Sequence, residues 1–130
     1  TFGYCFEQTV DNLPNNLIYL KFGIGFNQKV DNLPSNLAYL TFGRFFNQKV
    51  DNLPSNLTHL KFGTNFYQTV DNLPSSLTHL EFKHMFKLKD FISSVYFMLG
   101  IYYKLKLPPK LIYLRIRNNV ILDKSKFIKN

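Results

Sequence analysis

The sequence predicts a mainly β solenoid: twenty-residue turns stacked on one another, with short parallel strands on one face and irregular or 3₁₀ returns on the other. Three observations lead there. The phrase FNQKVDNLPSNL occurs twice word for word, at Phe26–Leu37 and Phe46–Leu57, with near copies at Phe6–Leu17 and Phe66–Leu77. Self-similarity at such a fixed interval is the signature of stacked supersecondary units. In each copy two apolar residues stand two apart, as Leu40 and Phe42 do, with Tyr39 and Thr41 on the opposite side of a strand's two-residue period. The Leu-Pro pairs at 13–14, 33–34, 53–54 and 73–74 hold the leucine extended and remove a donor, so no long crossover helix fits the return.

In chain order, Leu17, Leu37, Leu57 and Leu77 open each turn, followed by Leu20, Leu40, Leu60 and Leu80 and then Phe22, Phe42, Phe62 and Phe82. Gly23, Gly43 and Gly63 end the strand, where a positive φ or a close backbone approach suits glycine, and Lys83 breaks their column. A second aromatic column is Phe6, Phe26, Phe46, Phe66 and Phe86. A strand so short is unstable alone, but copies in register form a parallel sheet with strands roughly 4.8 Å apart. Gln8, Gln28, Gln48 and Gln68 are placed to form an amide ladder, each carbonyl accepting from the next side chain, and Asn12, Asn32, Asn52 and Asn72 a second one. A buried amide left unpaired would cost roughly 1–3 kcal/mol.

The unit F-N-Q-x-V-D-N-L-P-x-x-L-x-x-L-x-F-G resembles the FNIP repeat, an offshoot of leucine-rich repeats found in social amoebae and in giant viruses that infect amoebae. The stretch Phe46–Gly63, FNQKVDNLPSNLTHLKFG, looks most like the giant-virus members. The resemblance covers residues 1–82 strongly and Leu107–Val120 weakly. It implies a curved, leucine-rich-repeat-like solenoid used for protein interaction. Some relatives carry an amino-terminal F-box that joins them to ubiquitin ligases; no F-box segment is visible in this sequence.

The expected organisation is regular repeats over 1–82, then a degenerate repeat or an insertion over 83–106 that could hold a short helix. A last leucine-rich turn follows at 107–121, and a basic tail at 122–130. Leu77 to Leu111 is 34 residues, neither one repeat nor two. The apolar run Phe91–Tyr103 has thirteen residues, too few to cross a bilayer. Thr1-Phe2-Gly3 matches Thr41-Phe42-Gly43, so the chain is expected to begin part-way through a longer protein.

With 45% hydrophobic residues and 17% aromatic ones, the chain is too apolar for disorder. Its single cysteine, Cys5, excludes an internal disulfide framework and fits a reducing compartment, expected to be the cytoplasm, or the host cytoplasm for a viral protein. The net charge of +8 is unevenly spread. Residues 1–80 hold five basic and five acidic side chains, whereas 81–130 hold eleven basic ones against Glu81, Asp90 and Asp123. That asymmetry would suit an anionic partner or merely a solvated end.

Catalytic signatures are scarce: no phosphate-binding loop, no H-E-x-x-H and no paired cysteines. His59 and His79 share a column on adjacent strands, with Cβ atoms about 5 Å apart, but zinc needs more ligands than Glu81 can add. No enzyme activity, catalytic residue, metal or cofactor is therefore expected. The candidate site lies in the columns where the turns differ. On the outward strand face these are Tyr19, Tyr39, His59, His79 and Tyr113, beside Lys21, Thr41, Lys61, Glu81 and Arg115; past the glycine come Arg44 and Phe45. Aromatic and charged residues on a rigid sheet suit a protein interface. A protein partner is favoured, with self-assembly, or binding of an anionic partner (nucleic acid or a membrane surface) through the basic C-terminal segment, as alternatives.

Overall fold

A computed structural model of the chain describes residues 1–83, 107–116 and 119–123, the last five by their backbone. The expectations about an insertion or short helix, the run Phe91–Tyr103, Phe86, and the tail beyond 123 fall outside these residues. Each short strand forms where the sequence alternates. β1 (Tyr19–Lys21), β2 (Tyr39–Thr41), β3 (His59–Phe62), β4 (His79–Phe82), β5 (Tyr113–Ile116) and β6 (Asn119–Asp123) make one six-stranded sheet in chain order. β1 to β5 pair in parallel and in register, so that Leu20, Leu40, Leu60, Leu80 and Leu114 lie side by side. β6 turns back antiparallel on β5, taking Leu122 and Asp123 into the sheet.

The returns are irregular backbone with tight turns, and the described residues include no helix. Each proline carbonyl accepts from the leucine three residues on: Leu37 N–H donates to Pro34 O at 3.1 Å, and the same bond recurs at Leu57, Leu77 and Leu111. This turn delivers the chain into the next strand. It recurs at Pro108, where Ile112 and Tyr113 donate to Thr78 O, so the 34 residues from Leu77 to Leu111 make a single step of the sheet.

Between the strands and the returns lies a wholly apolar core. Phe26 and Phe46 are fully buried and Phe66 nearly so, with successive ring centroids 6.1 Å apart. Within each turn the strand phenylalanine stacks on this column, at 3.7 Å for Phe22–Phe26 and 3.6 Å for Phe42–Phe46. Burying one such side chain contributes about 1.5–3 kcal/mol, and only a neighbouring turn can bury it.

Glycine closes each strand because of close approach. A Cβ on Gly43 would collide with the carbonyl oxygen of Gly23 and come within 2.6 Å of its carbon. Where Lys83 replaces glycine, its N–H instead continues the ladder to Phe62 O at 3.1 Å, and β3 and β4 are each a residue longer than β1 and β2.

The expected amide ladders are corrected. Glutamine does not bond glutamine: Gln48 Nε2 donates to Asn27 O at 3.1 Å and Asn27 Oδ1 at 3.2 Å, and Gln68 repeats this on Asn47. Asn27 Oδ1 also accepts the backbone N–H of Asn47 at 2.8 Å. One position before Gln28, Asn27 presents two oxygens together, a pair of acceptors that a single glutamine carbonyl does not offer. Asn32, Asn52 and Asn72 likewise donate to Asp11, Asp31 and Asp51 at 3.0–3.2 Å, because a carboxylate is the stronger acceptor. The bonds of Gln48 and the asparagines are exposed and those of Gln68 part-buried, so none satisfies a fully buried amide.

Candidate functional site

In-register parallel pairing lays the variable strand column into one ladder of rings. Tyr19 and Tyr39 stack at 4.3 Å between centroids, Tyr39 and His59 at 4.4 Å, His59 and His79 at 4.1 Å, and His79 and Tyr113 at 5.6 Å. Tyr19 is 64% exposed and the other four are half-buried. A hydrogen bond with Tyr39, and then the charge of that neighbour, raise the Tyr19 pKa above its ordinary value. The column thus crosses five turns, including the step from β4 to β5.

Both histidines are held from below. Thr58 Oγ1 and Thr78 Oγ1 each lie 2.9 Å from Nδ1 of the following histidine, and 3.1 Å from the carbonyls of Ala38 and Thr58 respectively. One hydroxyl proton cannot serve both bonds. With it on the carbonyl, Nδ1 carries a proton and donates to the threonine; with it on Nδ1, the neutral ring carries its proton on Nε2. Each ring therefore keeps its hydrogen bond whether charged or neutral. Burial, and then the charge of His79, lower the His59 pKa from its ordinary value.

The neighbouring column places Lys61 Nζ 3.0 Å from Glu81 Oε2. Both side chains are partly exposed, so the pair is worth at most about 1 kcal/mol. It also occupies the carboxylate that stood nearest the histidines. Among the described residues no three His, Cys, Asp or Glu side chains are grouped to hold a metal ion. Arg115 lies opposite Glu81 in register, with Nε buried and without a hydrogen-bond partner. Past the glycines, the Arg44 guanidinium sits 5.4 Å over the Phe45 ring, which is 45% exposed.

Beside the ring ladder, where the strands end, an open trough of about 820 Å³ runs along the stack. The side-chain-free glycine column gives it a backbone floor, and Lys21, Lys61, Arg44 and Lys83 line it. Tyr19, Tyr39, His59, His79 and Tyr113 are thus brought together in one ladder, and Lys21, Lys61 and Arg44 along the trough beside it. Lys83 is the residue that sequence reasoning passed over. Its signal was visible, as the single lysine in a column of glycines.

The pattern of the FNIP Repeat matches residues 6–45 and 46–84. The chain belongs to the FNIP repeat family. No curated protein matches it. Among solved structures, this FNIP chain is similar to the giant-virus protein CroV588, whose crystal structure is described as a novel circular LRR protein. Identity is 41% and the TM-score 0.69, over 88% of this chain and 16% of the other. The FNIP chain therefore spans a small part of that relative's length. Its solenoid is a leucine-rich-repeat-like scaffold, a fold suited to protein interaction.

Proposed function

We propose that this FNIP solenoid is a non-enzymatic protein-binding module that uses its strand face. The observation behind this reading is the five-ring ladder. Its rings lie on the solvent side of the sheet, yet each is held by stacking, and the histidines also by a hydrogen bond. Side chains fixed before binding lose little entropy on association, and tyrosine is among the residues most often dominant in interfaces. The depression over Tyr39, His59 and His79 measures about 190 Å³. That is below the roughly 300 Å³ at which small-molecule pockets begin, which favours a macromolecular surface. Within a longer protein the module would act as a recognition arm, the place that resemblance to ubiquitin-ligase adaptors implies. A second reading, incorporation into a larger closed array of turns, is supported by the likeness to a protein described as circular.

The test is affinity capture with the full chain, comparing wild type with Tyr39→Ala plus His59→Ala. A control variant, Lys29→Ala plus Lys49→Ala, changes exposed residues of the return side. Loss of two central rings is expected to cut recovery of the bound proteins about tenfold or more, with the control unchanged. Equal recovery by all three would rule out the strand face.

A further inference from the structure

We propose that the trough beside the ring ladder seats an acidic peptide segment of the protein partner, with its carboxylates paired to Lys21, Arg44 and Lys83. This inference rests on the strand-face reading and adds the chemistry of what is bound.

The first ground is charge. The trough takes one cation from each of four successive turns, and among the described residues no carboxylate lines it. The nearby acid, Glu81, is engaged by Lys61. Asp11, Asp31 and Asp51 sit apart from it in the return turns, each accepting from an asparagine of the following turn. Residues 1–80 are neutral in sum, yet folding gathers much of their positive charge into one trough.

The second ground is the floor. Its backbone groups already bond from turn to turn: Phe42 N–H donates to Lys61 O, Phe45 N–H to Ile24 O and Asn65 N–H to Arg44 O, at 2.8–3.0 Å. An occupant cannot add itself as a further strand, so the side chains must do the recognising. Lysine offers a mobile point charge and arginine a planar fork, both suited to carboxylates.

The third ground is what the trough lacks. Single-stranded nucleic acid is held by stacking its bases on exposed aromatic rings. The phenylalanines along this trough have their rings engaged with one another, the partly buried Phe2 between Phe6 and Phe22, and the core residue Phe42 between Phe22 and Phe62. Peptide carboxylates need no such platform. Three strand spacings separate β1 from β4, a run of about 15 Å that four or five extended residues would cover.

The experiment measures fluorescence anisotropy of a labelled octaglutamate peptide with the full chain, at about 0.05 M salt. Arg44→Gln plus Lys83→Gln, both exposed, is compared with Lys29→Gln plus Lys49→Gln, which removes the same charge from the return side. The trough variant is expected to bind at least about tenfold more weakly, and the other to stay within about twofold of wild type. Equal losses, or no binding by wild type, would overturn the proposal. Decathymidine bound as tightly as octaglutamate would overturn it in favour of nucleic acid. If octaglutamate fails while Tyr39→Ala plus His59→Ala still loses its captured proteins, only the acidic-peptide inference falls. If octaglutamate binds at the trough but that variant keeps its proteins, the strand-face reading falls instead.

Discussion

Gly43 shows how one hydrogen in place of a methyl group permits the stacking. Its α-carbon lies so close to Gly23 that any Cβ would enter the preceding carbonyl group. Gly43→Ala is therefore expected to destabilise the chain by roughly 1–3 kcal/mol, by forcing adjacent turns apart, as read by urea denaturation. Gly25 is different: its nearest neighbour is Tyr4 O at 3.1 Å, and the same column holds Phe45 and Asn65. Gly25→Asn should stay within about 0.5 kcal/mol. The sequence pointed to both possible reasons for the glycine column; only geometry separated close approach from a positive φ. His59 carries a second expectation. Its neutral form is favoured in the folded chain, so on acidification the unfolded chain binds the proton first. The stabilising contribution is whole above the ordinary value of 6.5 and is lost as pH falls from there through the lower folded value. An NMR titration should place the folded His59 midpoint below that of the denatured chain, and a midpoint at or above it would contradict the burial argument. Replacement by Tyr, the residue at Tyr39, should remove this acid sensitivity.

β1 to β4 were legible because a two-residue alternation repeated at a fixed period leaves little freedom in strand placement or register. β6 was not. Alternation reads the same in a parallel and an antiparallel strand, and Leu122 and Asp123 fell in what sequence reading treated as tail. The clue was length: β5 ends at Ile116 and β6 begins at Asn119, and so short a link serves only an antiparallel return. By lying on β5, β6 satisfies an edge that would otherwise offer unpaired N–H and C=O groups to another chain. Val120→Pro removes a donor inside that strand, opposite Arg115. Light scattering should then show a mass that rises with concentration above that of the parent; an unchanged mass would mean that β5 needs no cover. The glutamine and asparagine columns teach the opposite lesson. Periodicity located them correctly along the stack, but partner choice depended on offsets of a single residue, to Asn27 and Asp31, which a column of identical letters does not display.

Across the molecule the repeat sets everything that depends on a neighbour of the same kind. Stacked identical turns must bury the same leucines and phenylalanines, so the solenoid, its core and its outward columns all followed from the sequence alone. Tertiary structure decided what depends on distance between different columns. It collected Lys21 and Lys61 from one column, Arg44 from a second and Lys83 from the glycine column around a floor of glycine backbone. Charge summed along the chain conceals that gathering, because electrostatic fields add in space, whereas residues are counted in order.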